Sequence, residues 1–357
     1  TALDGAATTE ARARVALALG RAGSKSAVAW LERLFREAGP DEQLLRDAAT
    51  VALARLGART HEEAAAALAT SLGDPRPRVV QNAVEGLADL PQGVAAQALE
   101  PRLQDSRSNA RVAEAAKVLG LKALAPGLAI LARNGGEPPA TRAAAVRALA
   151  ELGDPVAGAD AVASTLQRSE DTPPEAAALR RTACEALGAV ALRGEVARRA
   201  LLSALQDDES IVRCAALRAL ALAGDARSIE AIIDALAQPD WDARERIEAI
   251  RSLVKLGARN DPAVAAVAAS LKRDTSAAVA LAALELLSNV ATPQSSELIV
   301  DLMDHEDATV RRRAHALLLS RFLLPNGRDP VGYDPESPRG DRLEPLKKWR
   351  ARLAEKR

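Results

Sequence analysis

The stretch Arg246-Ile247-Glu248-Ala249-Ile250-Arg251-Ser252-Leu253-Val254-Lys255-Leu256-Gly257 decides the fold, because the chain repeats it. The pattern Arg-x-x-Ala-x-x-(Ala/Ser)-Leu-x-x-Leu-Gly returns as Arg46, Ala49, Leu53, Leu56-Gly57 and as Arg142, Ala145, Leu149, Leu152-Gly153. Looser copies carry Arg180, Ala183, Leu187 and Arg213, Ala216, Leu220. Aligned on the central leucine, the series reads Leu53, Leu87, Leu149, Leu187, Leu220, Leu253, Leu287 and Leu318. The wide gap between Leu87 and Leu149 holds one further copy near Val118 or Leu119, and an earlier copy ends at Leu19-Gly20. About ten copies result. Self-similarity at such a period is the signature of a repeat array, in which each unit buries its apolar face only against its neighbours.

Within each copy the apolar positions fall at i, i+3, i+7 and i+10, one stripe of an α-helix that must be buried. The glycine that closes the stripe predicts a left-handed C-cap, as in Gly153-Asp154-Pro155 and Gly224-Asp225-Ala226. A shorter apolar helix precedes the next copy, for example through Ile229, Ile232, Ile233 and Leu236. Each unit is therefore a helical hairpin. Strands are not expected, since no run alternates with period two and alanine dominates.

Leu205-x-Asp207-Asp208-Glu209-x-x-Val212-Arg213-x-x-Ala216-x-x-Ala219-Leu220, echoed by Leu302-x-Asp304-x-Glu306-Asp307-x-x-Val310-Arg311-x-x-Ala314, resembles the HEAT family, in particular its short bacterial form related to phycobilin lyase repeats. The resemblance runs from about residue 8 to 324. It implies an all-α fold, a right-handed α-solenoid of about ten hairpins forming an α-α superhelix, whose second helices line a concave face. The Trp and Tyr/Phe signature positions of tetratricopeptide repeats are missing.

The expected organisation is a repeat solenoid over 1–324 and a Pro/Gly-rich linker with a capping helix over 325–357. After Leu324 the run to Pro335 is too rich in Pro and Gly for a helix. A last helix from about Asp341 carries Leu343, Leu346, Trp349 or Arg350, and Leu353 on one side, and Trp349 and Tyr333 are placed to seal the open end. Asp329 and Asp334 read as turn residues, because their spacing matches no calcium loop. Two longer connections, Asn134–Pro139 and Ser169–Pro174, interrupt the array.

Composition limits the function classes. The 357 residues are 48% hydrophobic but only 2% aromatic, and 48 basic residues balance 48 acidic ones, so no global charge favours nucleic acid or a membrane. No stretch is long and apolar enough to span a bilayer. The chain starts at Thr1 without an initiating Met or a signal-peptide core; the compartment stays open between cytoplasm and periplasm, the latter after loss of a leader. Cys184 and Cys214 read as two buried thiols in neighbouring repeats.

No catalytic constellation emerges. His61-Glu62 and His305-Glu306 resemble the His-Glu dipeptides by which HEAT-like deoxyhypusine hydroxylases bind iron, but roughly seven repeats separate them, and they read as surface dipeptides. Neither cysteine has a histidine near it in sequence, and no Gly-x-Ser-x-Gly or phosphate loop occurs. No cofactor or metal is expected. The second helices are rich in arginine, and the acidic turns before them suggest a ladder in which Arg213 and Arg311 answer Asp side chains of their own or the next turn. Arg213, Arg218, Arg244, Arg251, Lys255, Arg312 and Arg313, with Tyr333 and Trp349 in the cap, are the candidate partner-binding residues. The expected function is a non-catalytic scaffold or assembly subunit that holds a protein partner in its concave groove and at its cap. The alternatives are an Arg-rich groove for nucleic acid or an acidic ligand and, third, a HEAT-like lyase or hydroxylase.

Overall fold

A computed structural model describes residues 8–23, 26–39, 42–60, 62–153, 156–167, 176–189, 194–322 and 329–355. Every regular element among them is helical. The chain divides into two compact units, Thr1–Ala197 and Arg198–Arg357.

The first unit runs through α1 (Thr9–Ala22), α2 (Ser26–Glu37), α3 (Gln43–Thr60), α4 (Glu62–Ser71), α5 (Pro77–Ala88), α6 (Gln92–Leu99), α7 (Asn109–Leu119), α8 (Ala125–Arg133), α9 (Pro139–Leu152), α10 (Ala157–Ser164) and α11 (Ala176–Leu187). The division falls inside α12 (Glu195–Ala204). The second unit holds α13 (Ser210–Ala223), α14 (Ile229–Leu236), α15 (Ala243–Lys255), α16 (Asp261–Arg273), α17 (Ala277–Ser288), α18 (Pro293–Leu302), α19 (Ala308–Arg321) and α20 (Arg339–Ala354). In each unit odd-numbered helices pack against odd-numbered ones and even against even, while hairpin partners such as α3 and α4, or α18 and α19, close the two layers onto each other. This two-layer stack of hairpins is an α-solenoid.

The repeat pattern explains the layering. Leu53, Leu87, Leu149, Leu187, Leu220, Leu253, Leu287 and Leu318 each lie in the C-terminal half of an odd-numbered helix and are at most 1% exposed. The missing copy is α7, and its central residue is Ala116, fully buried, whereas Val118 is 68% exposed. Asn109 takes the arginine position in that copy. An alanine and an asparagine at the two diagnostic places are why periodicity alone missed the register.

The glycines closing the pattern turn out to serve two purposes. Gly120, Gly224 and Gly257 adopt φ of 67°, 72° and 75°, the left-handed cap expected of them. Gly20 and Gly57 instead sit inside α1 and α3, which continue past them, and Gly153 is extended at φ −72°. At Gly20 a Cβ would stand 2.7 Å from the Ala52 Cα, so the missing side chain is what lets α1 approach α3. The Asn134–Pro139 connection is a tight turn in which the Asn134 carboxamide oxygen accepts from the Gly136 N–H at 3.1 Å. The Ser169–Pro174 connection, His61 and the expected 324/325 boundary lie outside the described residues.

Candidate partner-binding site

Arg46, Arg142, Arg213, Arg246 and Arg311, each opening a repeat, are committed to the backbone. In α13, Arg213 donates to the carbonyl oxygens of Asp207 at 2.5 Å and Asp208 at 2.8 Å in the turn before its own helix. Its Nε donates at 2.5 Å to Glu245, a side chain 1% exposed in the first turn of α15. Glu245 is held there by a capping box with Asp242. Arg46, Arg246 and Arg311 likewise donate to carbonyls of the turn preceding their helix, and Arg142 donates to the Ala132 carbonyl at the end of α8. The ladder expected from Asp side chains of these turns is thus corrected for Arg213 and Arg311: their own turns supply main-chain oxygens. Arg46 adds a bond of 2.6 Å to Asp74 in the next turn, where the carboxylate is fully enclosed. Burial alone would raise the Asp74 pKa, but bonds from Arg76 and Arg46 outweigh it and bring it down to about 2.

The remaining candidates in the second unit share a different face. Arg244, Glu248, Arg251 and Lys255 follow one another at i, i+4, i+7 and i+11 along α15, and Ile211, Arg218 and Leu222 do so along α13. Arg218 pairs with Glu248 at 3.2 Å, and Arg251 pairs with Glu285 of α17 at 3.8 Å. Each arginine therefore meets a carboxylate of the following repeat. Arg218, Leu222, Glu248, Arg251 and Lys255 line a cleft of about 290 Å³ between α13 and α15. Leu222 is 51% exposed at its edge and Ile211 is 37% exposed two helical turns before Arg218. Arg244 and Lys255 are exposed and make no ion pair among the described residues. Sequence reasoning found the cations but missed Glu248, Glu285, Ile211 and Leu222. The helical periodicity carried that signal for Glu248, Ile211 and Leu222, which continue the arginine stripes of α15 and α13, but not for Glu285, whose helix α17 holds no arginine.

The cap residues are placed otherwise than a partner surface requires. Trp349 is fully buried and Tyr333 is 4% exposed, so both are interior residues of the cap. The Trp349 Nε1–H donates to Asp329 at 3.1 Å, and the same carboxylate oxygen lies 2.5 Å from His315 Nε2. The Tyr333 hydroxyl donates to the Met303 carbonyl, and Arg311 donates to the Pro335 carbonyl at 2.6 Å. Burial pushes the Tyr333 phenol up to about 12, against the pull of Arg342 and Arg311. Leu346, Trp349 and Leu353 face inward as expected of α20, but Leu343 is 47% exposed. Arg342 takes an inward place instead, donating to the Ser337 carbonyl and to Asp304. Arg312 pairs with Glu336 at 2.7 Å, while Arg313 is exposed.

His305 is a turn residue: its Nδ1 accepts from the Asp307 N–H and its Nε2 lies 2.9 Å from the Thr275 carbonyl. Cys184 and Cys214 are buried thiols, and burial raises the Cys214 thiol pKa. No cluster of three or more metal-ligating side chains occurs among the described residues. No helix among them is long and apolar enough to cross a membrane.

Within this two-layer α-solenoid of helical hairpins, residues 172–254 match the family model for HEAT repeats. No curated protein matches the sequence significantly. Among solved structures, karyopherin Kap121p is similar at 15% identity and a TM-score of 0.54, covering 84% of this chain and 38% of that one. Kap121p bound to Nup53p is similar at 14% identity and a TM-score of 0.55, covering 98% and 44%. The chain thus spans about two fifths of the karyopherin chains it matches, and at these identities the likeness is one of fold. The complex of CpcE and CpcF of phycocyanin lyase from Nostoc sp. PCC7120 matches at 19% identity over 64% of this chain and 94% of that one, with a TM-score of 0.37.

Proposed function

We propose that the chain is a non-catalytic protein-interaction scaffold that holds a protein partner on the face formed by α13, α15 and α17, with the cap closing the end of the array. The observation that carries this reading is the pairing of Arg218 with Glu248 and of Arg251 with Glu285 around the Leu222 cleft. A phosphate backbone laid on this face would meet two carboxylates as well as the cations, and affinity for phosphate depends on the cations it neutralises. A protein surface, itself a mixture of apolar and charged groups, matches such a face without that repulsion. The fold agrees, since Kap121p has been solved with the proteins Ulp1p, Ste12p and Nup53p bound.

The test is capture from lysate by the immobilised chain, with and without nuclease, alongside the double variant Arg218→Glu/Arg251→Glu. A defined set of proteins that survives nuclease and moderate salt, and is lost from the variant, supports the reading. Proteins retained equally by the variant overturn the choice of face. Nucleic acid released at low salt in place of proteins overturns the scaffold in favour of phosphate binding.

A further inference from the structure

Among the described residues, the paired charges on the α13–α15 face leave two cations over. Arg244 and Lys255 stand at opposite ends of the α15 stripe, eleven residues apart, which is about 16 Å along a helix. Between them, Glu248 and Arg251 are spent on Arg218 and Glu285. The register of the two helices follows from their cross-links. Arg213 reaches Glu245, and the Ser252 hydroxyl donates to the Leu217 carbonyl at 3.1 Å. The same register sets Ile211 beside Arg244 and Leu222 beside Lys255. Both ends of the face thus present the same arrangement, an exposed aliphatic side chain on α13 next to an uncompensated cation on α15.

We propose that this face binds an extended, acidic-apolar peptide segment in which an aliphatic residue and a following carboxylate occur twice, four residues apart. The proposal rests on the scaffold reading and names its occupant. In an extended chain successive side chains point to opposite sides, so one edge meets α13 and the other α15. Aliphatic residues at positions 1 and 5 then reach Ile211 and Leu222, and carboxylates at 2 and 6 reach Arg244 and Lys255. Four extended residues cover about 13 Å, and the long arginine and lysine stems take up the difference from 16 Å. The charge sign fixes the class: two free cations select a segment carrying two acids. The built-in Glu248 and Glu285 disfavour one that is more densely acidic or a continuous polyanion.

The test is fluorescence anisotropy with the full chain and the labelled peptide Leu-Glu-Ser-Gly-Leu-Glu, against Leu-Lys-Ser-Gly-Leu-Lys and a one-anchor peptide, Leu-Glu-Ser-Gly-Ser-Gly. Saturable binding of the first is expected, weakened by salt. Each of Arg244→Glu, Lys255→Glu and Leu222→Ser, all at exposed sites, should weaken it roughly fivefold or more, as should loss of one anchor. Equal binding of the lysine peptide, or variants that bind as the wild type does, would overturn the proposal. So would displacement by a short DNA duplex that is indifferent to Leu222→Ser. If the peptide fails while lysate proteins are still lost on Arg218→Glu/Arg251→Glu, only this occupant is wrong; if both fail, the face itself is.

Discussion

Gly20 and Gly224 follow the same leucine- and alanine-rich stripe in the sequence, yet one is a helix-interior contact and the other a left-handed cap. Local sequence reports that a residue without a Cβ is required but not which of two causes requires it, because the cause at Gly20 is a neighbouring helix. Gly20→Ala places a methyl 2.7 Å from the Ala52 backbone and should destabilise by about 1–3 kcal/mol. Gly93, in α6, has nothing within 4 Å of an added Cβ. Gly93→Ala should stabilise by up to about 1 kcal/mol through helix propensity and a stiffer unfolded chain. Urea denaturation of the two variants reads both signs. A like argument applies to the arginines. The repeat made Arg213 and Arg218 both legible as cations, but burial and partners separate them. Arg213→Met strands carbonyls and Glu245 and should cost about 1–3 kcal/mol, whereas Arg218→Met, at a largely solvated pair, should stay within about 0.5 kcal/mol in the same assay.

At the scale of elements, the helices were readable because each odd-numbered one repeats a single buried stripe. The register of α7 escaped, though its presence did not, because Ala116 and Asn109 replace the leucine and arginine on which the alignment depended. The cap was readable as a helix after a Pro/Gly-rich run, but not its fastening, which joins residues 14 to 38 apart through His315–Asp329, Trp349–Asp329 and Arg342–Asp304. Tyr333 reports directly on that fastening because it is the only tyrosine of the chain. Its folded pKa is raised to about 12, above the roughly 10 of a free phenol. Its contribution to stability is complete below pH 10 and is lost as pH rises through 12. Absorbance at 295 nm should therefore show the phenol ionising well above pH 10 in the native chain, and near 10 in Trp349→Ala, where the cap loses its largest buried side chain.

At the scale of the whole molecule, a repeat array has two ends, and an end left bare presents an apolar face to water. Residues 329–355 cover Met303 and pack against α18, the place expected of a capping segment. Ending the chain after Phe322 should leave helix content from the preceding repeats intact by circular dichroism while producing concentration-dependent association in size-exclusion chromatography; a monodisperse truncated chain of unchanged stability would contradict the capping role. The site was the least legible part of the molecule. Its cations were visible one by one, but whether a cation is free depends on Glu248 and Glu285 in the adjoining repeats, and no single helix contains that information.

The arginine at the head of a repeat grips carbonyl oxygens, and every amino acid has one. A turn can therefore drift through almost any composition without losing its hold on the helix that follows. A unit copied or exchanged elsewhere in the gene arrives with its internal bracing already complete, and only its contact with the next unit remains to be fitted. Chains built this way can grow or shorten by whole units, so a surface such as the α13–α15 face can be moved or multiplied while the framework around it stays sound.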